Sequence, residues 1–169
     1  WDGASGIVLN VSGFVATANT QNAGTLTLLS ASSRSNIDMS LATGPHGYTL
    51  VGNRGDDTLT GSALDDVIEG GAGNDTLYDS GEAYLYGEDG DDTLIDDKGS
   101  VYGMVLDGGN GNDTLRSSTI RIAYGGAGDD IIDIGSQDKS PELLDGGTGN
   151  DELQLSRGDG IDFSKVINF

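Results

Sequence analysis

GGAGNDTLY at residues 70–78 and GGNGNDTLR at residues 108–116 decide the fold. Small residues at places 1 and 4, Asp at place 6 and an aliphatic residue at place 8 make a nine-residue frame, and its glycines supply the positive φ that other residues resist, so places 1–6 form a turn. Places 7–9 alternate around one aliphatic side chain, which reads as a three-residue strand with a single inward residue. The same frame recurs as GNRGDDTLT from Gly52, GSALDDVIE from Gly61, GEDGDDTLI from Gly87, GGAGDDIID from Gly125 and GGTGNDELQ from Gly146. Repeats this short bury almost nothing singly, and stacking makes the core.

The intervals give the size of one coil. Turns starting at Gly52, Gly70, Gly87, Gly108, Gly125 and Gly146 are spaced 18, 17, 21, 17 and 21 residues apart. The segments left over, DSGEAYLY, DDKGSVYGMVLD, SSTIRIAY and IGSQDKSPELLD, each end in a strand-like triplet. One coil is therefore two turns and two short strands, and strands pair one coil apart in two parallel sheets. The inward positions run Leu50, Leu59, Ile68, Leu77, Leu85, Leu94, Leu106, Leu115, Ala123, Ile132, Leu144 and Leu153. The regular turns share one edge. The opposite edge carries the variable segments, with Gly61 to Asp66 as its only well-formed repeat.

Residues 1–51 read differently. GIVLNVSG, GTLTLLSAS, NIDMSLATG and GYTLVGN are strand-like and poor in charge. They suit metal-free β coils that cap or lead into the roll of residues 52–154; the end of a separate all-β domain is the other reading. Residues 155–169 read as closing strands.

Composition excludes several functions. The chain has 169 residues, 29 of them glycine, and 28 acidic against 8 basic residues give a net charge of -20. That charge opposes nucleic acid. No apolar run is long enough for a transmembrane helix. Without cysteine there is neither a disulfide framework nor a zinc–thiolate site. No zinc-protease motif, nucleophile elbow or cysteine nucleophile is present, so the expectation is that the chain is not an enzyme. Opening at Trp1 without Met and stopping at Phe169, it reads as a fragment of a larger polypeptide.

The turns carry the chemistry. Place 5 is Asp56, Asn74, Asp91, Asn112, Asp129 and Asn150, and place 6 is Asp57, Asp75, Asp92, Asp113, Asp130 and Asp151. Successive residues of an extended loop point to opposite sides. Each layer between two stacked turns thus receives one Asp or Asn from below, one Asp from above, and glycine-loop carbonyls. An all-oxygen cage without imidazole or thiolate suits Ca²⁺. Six turns leave five layers, and about five Ca²⁺ would bring the charge of -20 to about -10. Ordering costs roughly 1–2 kcal/mol per residue, whereas one buried Leu returns roughly 1.5–3 kcal/mol. With one inward residue in nine, metal binding must contribute to folding itself.

The run G-G-x-G-x-D-x-U-x, U being aliphatic, resembles the repeats-in-toxin (RTX), hemolysin-type calcium-binding family across residues 52–154. The resemblance implies an all-β, right-handed parallel β-roll with Ca²⁺ between turns. It also implies secretion from a bacterium by a one-step exporter, with folding triggered by extracellular Ca²⁺. Here the degenerate second edge confines the expected ions mainly to one edge. The resemblance sets the direction of alternation, and with it the layers. Gly52, Arg54 and Asp56 face Gly71, Gly73 and Asp75. Gly70, Ala72 and Asn74 face Glu88, Gly90 and Asp92. Gly87, Asp89 and Asp91 face Gly109, Gly111 and Asp113. Gly108, Asn110 and Asn112 face Gly126, Gly128 and Asp130. Gly125, Ala127 and Asp129 face Gly147, Gly149 and Asp151. Asp57 stands apart because the segment beneath it, residues 34–39, lacks the loop pattern.

Outside the turns, Val67, Tyr84, Val105, Ile122 and Leu143 form an outward stripe with Tyr86 and Tyr124 beside it. Two readings stay open: cover for irregular loops, or a surface for a partner domain, a like chain or a sugar, such as a polysaccharide or cell-surface ligand. An accessory module of a carbohydrate-active enzyme, or part of an adhesin or toxin, is the alternative function. His46 lies in a turn and lacks the companions a metal ligand needs. Met39 and Met104 read as packing residues.

Overall fold

The computed structural model describes residues 7–11, 13–22, 26–31, 33–97, 104–118, 120–135, 141–155 and 162–169. Trp1, part of the variable segments and residues 156–161 of the tail lie outside them.

Two parallel sheets face each other across a core of inward side chains, with a file from each sheet. One has nine strands: β1 Ile7–Val11, β3 Leu26–Ser30, β5 Thr49–Val51, β7 Asp66–Ala72, β9 Ala83–Asp89, β11 Val105–Asn110, β13 Ile122–Ala127, β15 Leu143–Thr148 and β17 Val166–Ile167, adjacent in that order. The other has eight: β2 Phe14–Val15, β4 Asn36–Asp38, β6 Thr58–Thr60, β8 Thr76–Asp79, β10 Thr93–Asp96, β12 Thr114–Ser117, β14 Ile131–Ile134 and β16 Glu152–Leu155. Consecutive strands alternate between sheets, so the chain winds as a β-roll. Among the described residues no helix is long and apolar enough to cross a membrane.

The register sets every aliphatic place 8 above its equivalent. Leu59 pairs with Leu77, Leu77 with Leu94, Leu94 with Leu115, Leu115 with Ile132 and Ile132 with Leu153. On the nine-stranded sheet Leu50, Ile68, Leu85, Leu106, Ala123 and Leu144 stack likewise. All of these are buried except Leu153, which is half-buried in the last strand of its sheet. Met39 and Met104 complete the core, and His46 is exposed.

The strands differ from the three-residue expectation in one respect. β7, β9, β11, β13 and β15 run on through places 1–3 of the following turn, as in Val105–Asn110. The cause is stacking: Gly109 lies over Glu88 and beneath Gly126, so the parallel ladder continues into the turn. The coils before Gly52 belong to the same sheets, since β3 pairs with β5 and β5 with β7. At the other end β17 pairs with β15.

Candidate metal centre

Positive φ recurs at places 2 and 4 of every regular turn. Gly73 has φ 132°, Gly111 133° and Gly128 131°, while Asn53 and Glu88 hold place 2 at 74° and 76°. Space requires glycine as well as angle. A Cβ on Gly73 would sit 2.6 Å from the Gly55 carbonyl carbon in the coil beneath. These contacts fix the turns in register and stack their side chains in columns.

Two side-chain ladders follow, running in opposite directions. The Oδ1 of place 5 accepts the place-5 N–H of the next coil: Asp56 from Asn74 (3.1 Å), Asn74 from Asp91 (3.1 Å), Asp91 from Asn112 (2.8 Å), Asn112 from Asp129 (2.8 Å) and Asp129 from Asn150 (2.9 Å). The Oδ1 of place 6 accepts the place-6 N–H of the coil before: Asp75 from Asp57 (2.7 Å), Asp92 from Asp75 (2.7 Å), Asp113 from Asp92 (2.8 Å), Asp130 from Asp113 (2.8 Å) and Asp151 from Asp130 (2.9 Å). Each layer therefore joins a place-5 side chain from below to a place-6 Asp from above, in the pairs Asp56 with Asp75, Asn74 with Asp92, Asp91 with Asp113, Asn112 with Asp130 and Asp129 with Asp151.

The backbone alternates in the other sense. Place-2 and place-4 carbonyls point to the next coil, as when Ala72 N–H donates to Asn53 O (2.9 Å). Place-3 carbonyls point back, as when Gly73 N–H donates to Asp89 O (2.8 Å) and Gly90 N–H to Asn110 O (2.8 Å). Within a layer the structure thus joins the place-5 and place-6 side chains, but turns into it carbonyls of even places from below and odd places from above. Gly52, Arg54, Gly71 and Gly73 of the first layer exemplify the opposite assignment. The reason is the ladder itself, which extends through places 1–3.

One oxygen of each buried place-6 carboxylate has no partner. The Oδ2 atoms of Asp57, Asp75, Asp92, Asp113 and Asp130 are buried and accept no hydrogen bond. Each borders the cradle left by the missing side chain of the place-1 glycine. A Cβ on Gly70 would meet Asp75 Oδ2 at 2.6 Å and the Gly87 carbonyl oxygen of the next coil at 2.8 Å. Gly52, Gly87, Gly108 and Gly125 repeat the arrangement. Burying an unpartnered carboxylate oxygen is costly unless a cation meets it. Among the described residues no three His, Cys, Asp or Glu side chains converge as a metal-holding group. Each layer offers two side chains, and carbonyls and water must complete a shell. A hard cation with flexible oxygen coordination fits that donor set.

The electrostatics agree. Burial, with neighbouring aspartate charges adding to it, pushes Asp75, Asp113 and Asp130 up to about 6 and Asp92 up to about 7. Burial also raises Asp57. The exposed Asp56 is lowered instead, first by the Asn74 N–H and then by the Arg34 guanidinium. Acids that burial holds above the usual carboxylate range gain from a cation brought into contact with them.

Sequence reasoning left Asp57 out of the layers, yet it matches the others: Oδ1 takes the Ser35 N–H and Oδ2 has no partner. The signal lay in register, since Asn36 pairs with Thr58 and so sets Ser35 at place 6. A second omission lies on the opposite edge. Asp66 accepts Tyr48 N–H at 2.6 Å and the Ser62 hydroxyl at 2.9 Å. The buried Asp79 accepts Gly81 N–H at 2.6 Å through Oδ2, while its Oδ1 has no partner and crowds Gly61 beside Asp66.

A model of the RTX calcium-binding nonapeptide repeat matches residues 49–78, 79–100, 105–118, 122–138 and 142–161. The chain belongs to this family. No curated protein and no solved structure matches the chain. The RTX repeats identify the β-roll as a calcium-binding module, and the column of unpartnered oxygens lies within the matched segments.

Proposed function

We propose that this RTX module uses calcium to complete its own fold, as part of a larger polypeptide exported from a bacterium. The observation that carries the reading is the column of buried Oδ2 atoms without partners in the layers between turns, on Asp75, Asp92, Asp113 and Asp130. About five Ca²⁺ would occupy the regular edge, one in each layer between turns. The paired place-5 and place-6 side chains would hold each ion, with turn carbonyls completing its shell. Bound calcium supplies the positive charge that the buried carboxylates lack. The side chains themselves fix the spacing, because their Oδ1 atoms already bridge consecutive coils. In a calcium-poor cytoplasm the same residues would repel one another and keep residues 52–154 open for export. Outside the cell, millimolar calcium would close them.

The test is far-UV circular dichroism in chelator and in millimolar Ca²⁺, with a calorimetric titration. A gain of β signal on calcium addition and a stoichiometry near five are expected. A spectrum identical in both conditions would remove the folding role.

A second reading rests on the outward face of the nine-stranded sheet. Tyr86 and Tyr124 flank Asp107 along one row, and Tyr84 stands exposed in the neighbouring row. Rings and carboxylates in alternation suit a polysaccharide, which would make the roll an accessory binding module as well.

A further inference from the structure

The column of turns has a lower end, and the residue beneath it is unlike every other in its position. Asn36 pairs with Thr58 in the β4–β6 ladder, so Arg34 stands below Asp56 and Ser35 below Asp57. Residue 34 is therefore the place-5 residue of the coil below Gly52, where each coil above has Asp or Asn. From above, this lowest layer is built like the rest: Asp57 reaches down to the Ser35 N–H and keeps an unpartnered buried Oδ2. From below, Arg34 supplies a guanidinium where the others supply an oxygen, and its Nη2 donates to Asp56 Oδ2 at 2.7 Å.

We propose that Arg34 is the built-in terminal cation of the column, holding a fixed positive charge at place 5 of the lowest layer and so excluding an ion there. Arg34 has five N–H donors and no acceptor, so it cannot ligate a metal, and its fixed charge repels one. The pair is solvent-exposed, with the side chains 75% and 51% accessible, so its worth lies in charge and position rather than in stability. The consequence is a boundary. Coils below Asp56 close without metal, and the first calcium layer lies between the Gly52 and Gly70 turns. This residue thereby sets the number of ions.

The inference rests on calcium occupying the layers above, and the experiment separates the two. Calcium stoichiometry is measured by calorimetry for the wild type, Arg34→Asp, Arg34→Asn and Arg34→Lys, each checked by circular dichroism in saturating calcium. Arg34→Asp and Arg34→Asn place at residue 34 the oxygen found at place 5 elsewhere, and each should bind one more ion than the wild type. Arg34→Lys keeps the charge and should bind the wild-type number. Equal stoichiometry in all four proteins would overturn the role of Arg34 while leaving the calcium reading intact. An Asp or Asn variant that stays unfolded in saturating calcium would also count against it, because the upper layers close with those residues at place 5. A wild type that binds no calcium would defeat both.

Discussion

Two carboxyl groups on the irregular edge, Asp66 and Asp79, show how one residue can couple this fold to pH. Both are buried, and they converge on Gly61. Burial, then the charge of Asp66, pushes Asp79 up to about 8. Burial likewise raises Asp66, although the Ser62 and Tyr48 N–H groups oppose it. With both raised, the pair keeps a proton to higher pH than a free carboxyl would. Tyr48 and Asp96 face the pair from the adjacent coils, and the Asp96 charge adds to the rise of Asp79. The folded value lies above the unfolded one, so the folded state keeps the proton longer. The stability this contributes is full below about pH 4 and is lost as pH rises through about 8, by a few kcal/mol. In saturating calcium the wild type should lose that stability relative to Asp79→Asn between pH 5 and 9, measured by denaturant melts. Parallel curves for the two proteins would show that the pair carries no proton.

At the scale of the strand, the inward file is the part of the core that a single substitution reaches. Leu115 lies between Leu94 and Ile132 and is fully buried. Leu115→Ala should cost about 2–5 kcal/mol in calcium-saturated melts, because rigid neighbouring coils cannot collapse into the gap. Leu153→Ala should cost less than half as much, since its half-buried side chain lies in the last strand of its sheet. Equal losses would mean that another layer covers β16. These elements were legible because glycine spacing and one aliphatic residue per repeat leave no alternative period. Place 6 was legible for the same reason. Asp79 was not, because DSGEAYLY has no repeat of its own, and only the pairing of Thr60 with Tyr78 brings Asp79 over Gly61. Nor could the sequence show which way each carbonyl turns. That depends on how far the ladder runs into the turn, and Glu88 at φ 76° follows it without being glycine.

For the whole molecule, the question is whether calcium acts as a ligand or merely as counter-charge. A net charge of -20 on 169 residues opposes compaction through self-repulsion. Salt relieves repulsion between exposed charges, as the screening length falls to about 3 Å at 1 M. It does nothing for Asp75 Oδ2 or Asp92 Oδ2, which are buried and need a partner in direct contact. Magnesium brings the same charge as calcium but gives up its water reluctantly and demands octahedral geometry, which two side chains and a turn of fixed carbonyls do not offer. Small-angle scattering in chelator should therefore show an expanded chain, with a radius of gyration approaching about 40 Å, the unfolded scale for this length. One molar NaCl should contract it only partly, and magnesium little more. Millimolar calcium should collapse it to a rod whose length follows from a rise of about 4.8 Å per coil. If salt alone produced that rod, the buried oxygens would not be the reason the module needs calcium, and repulsion along the edge would account for the whole effect.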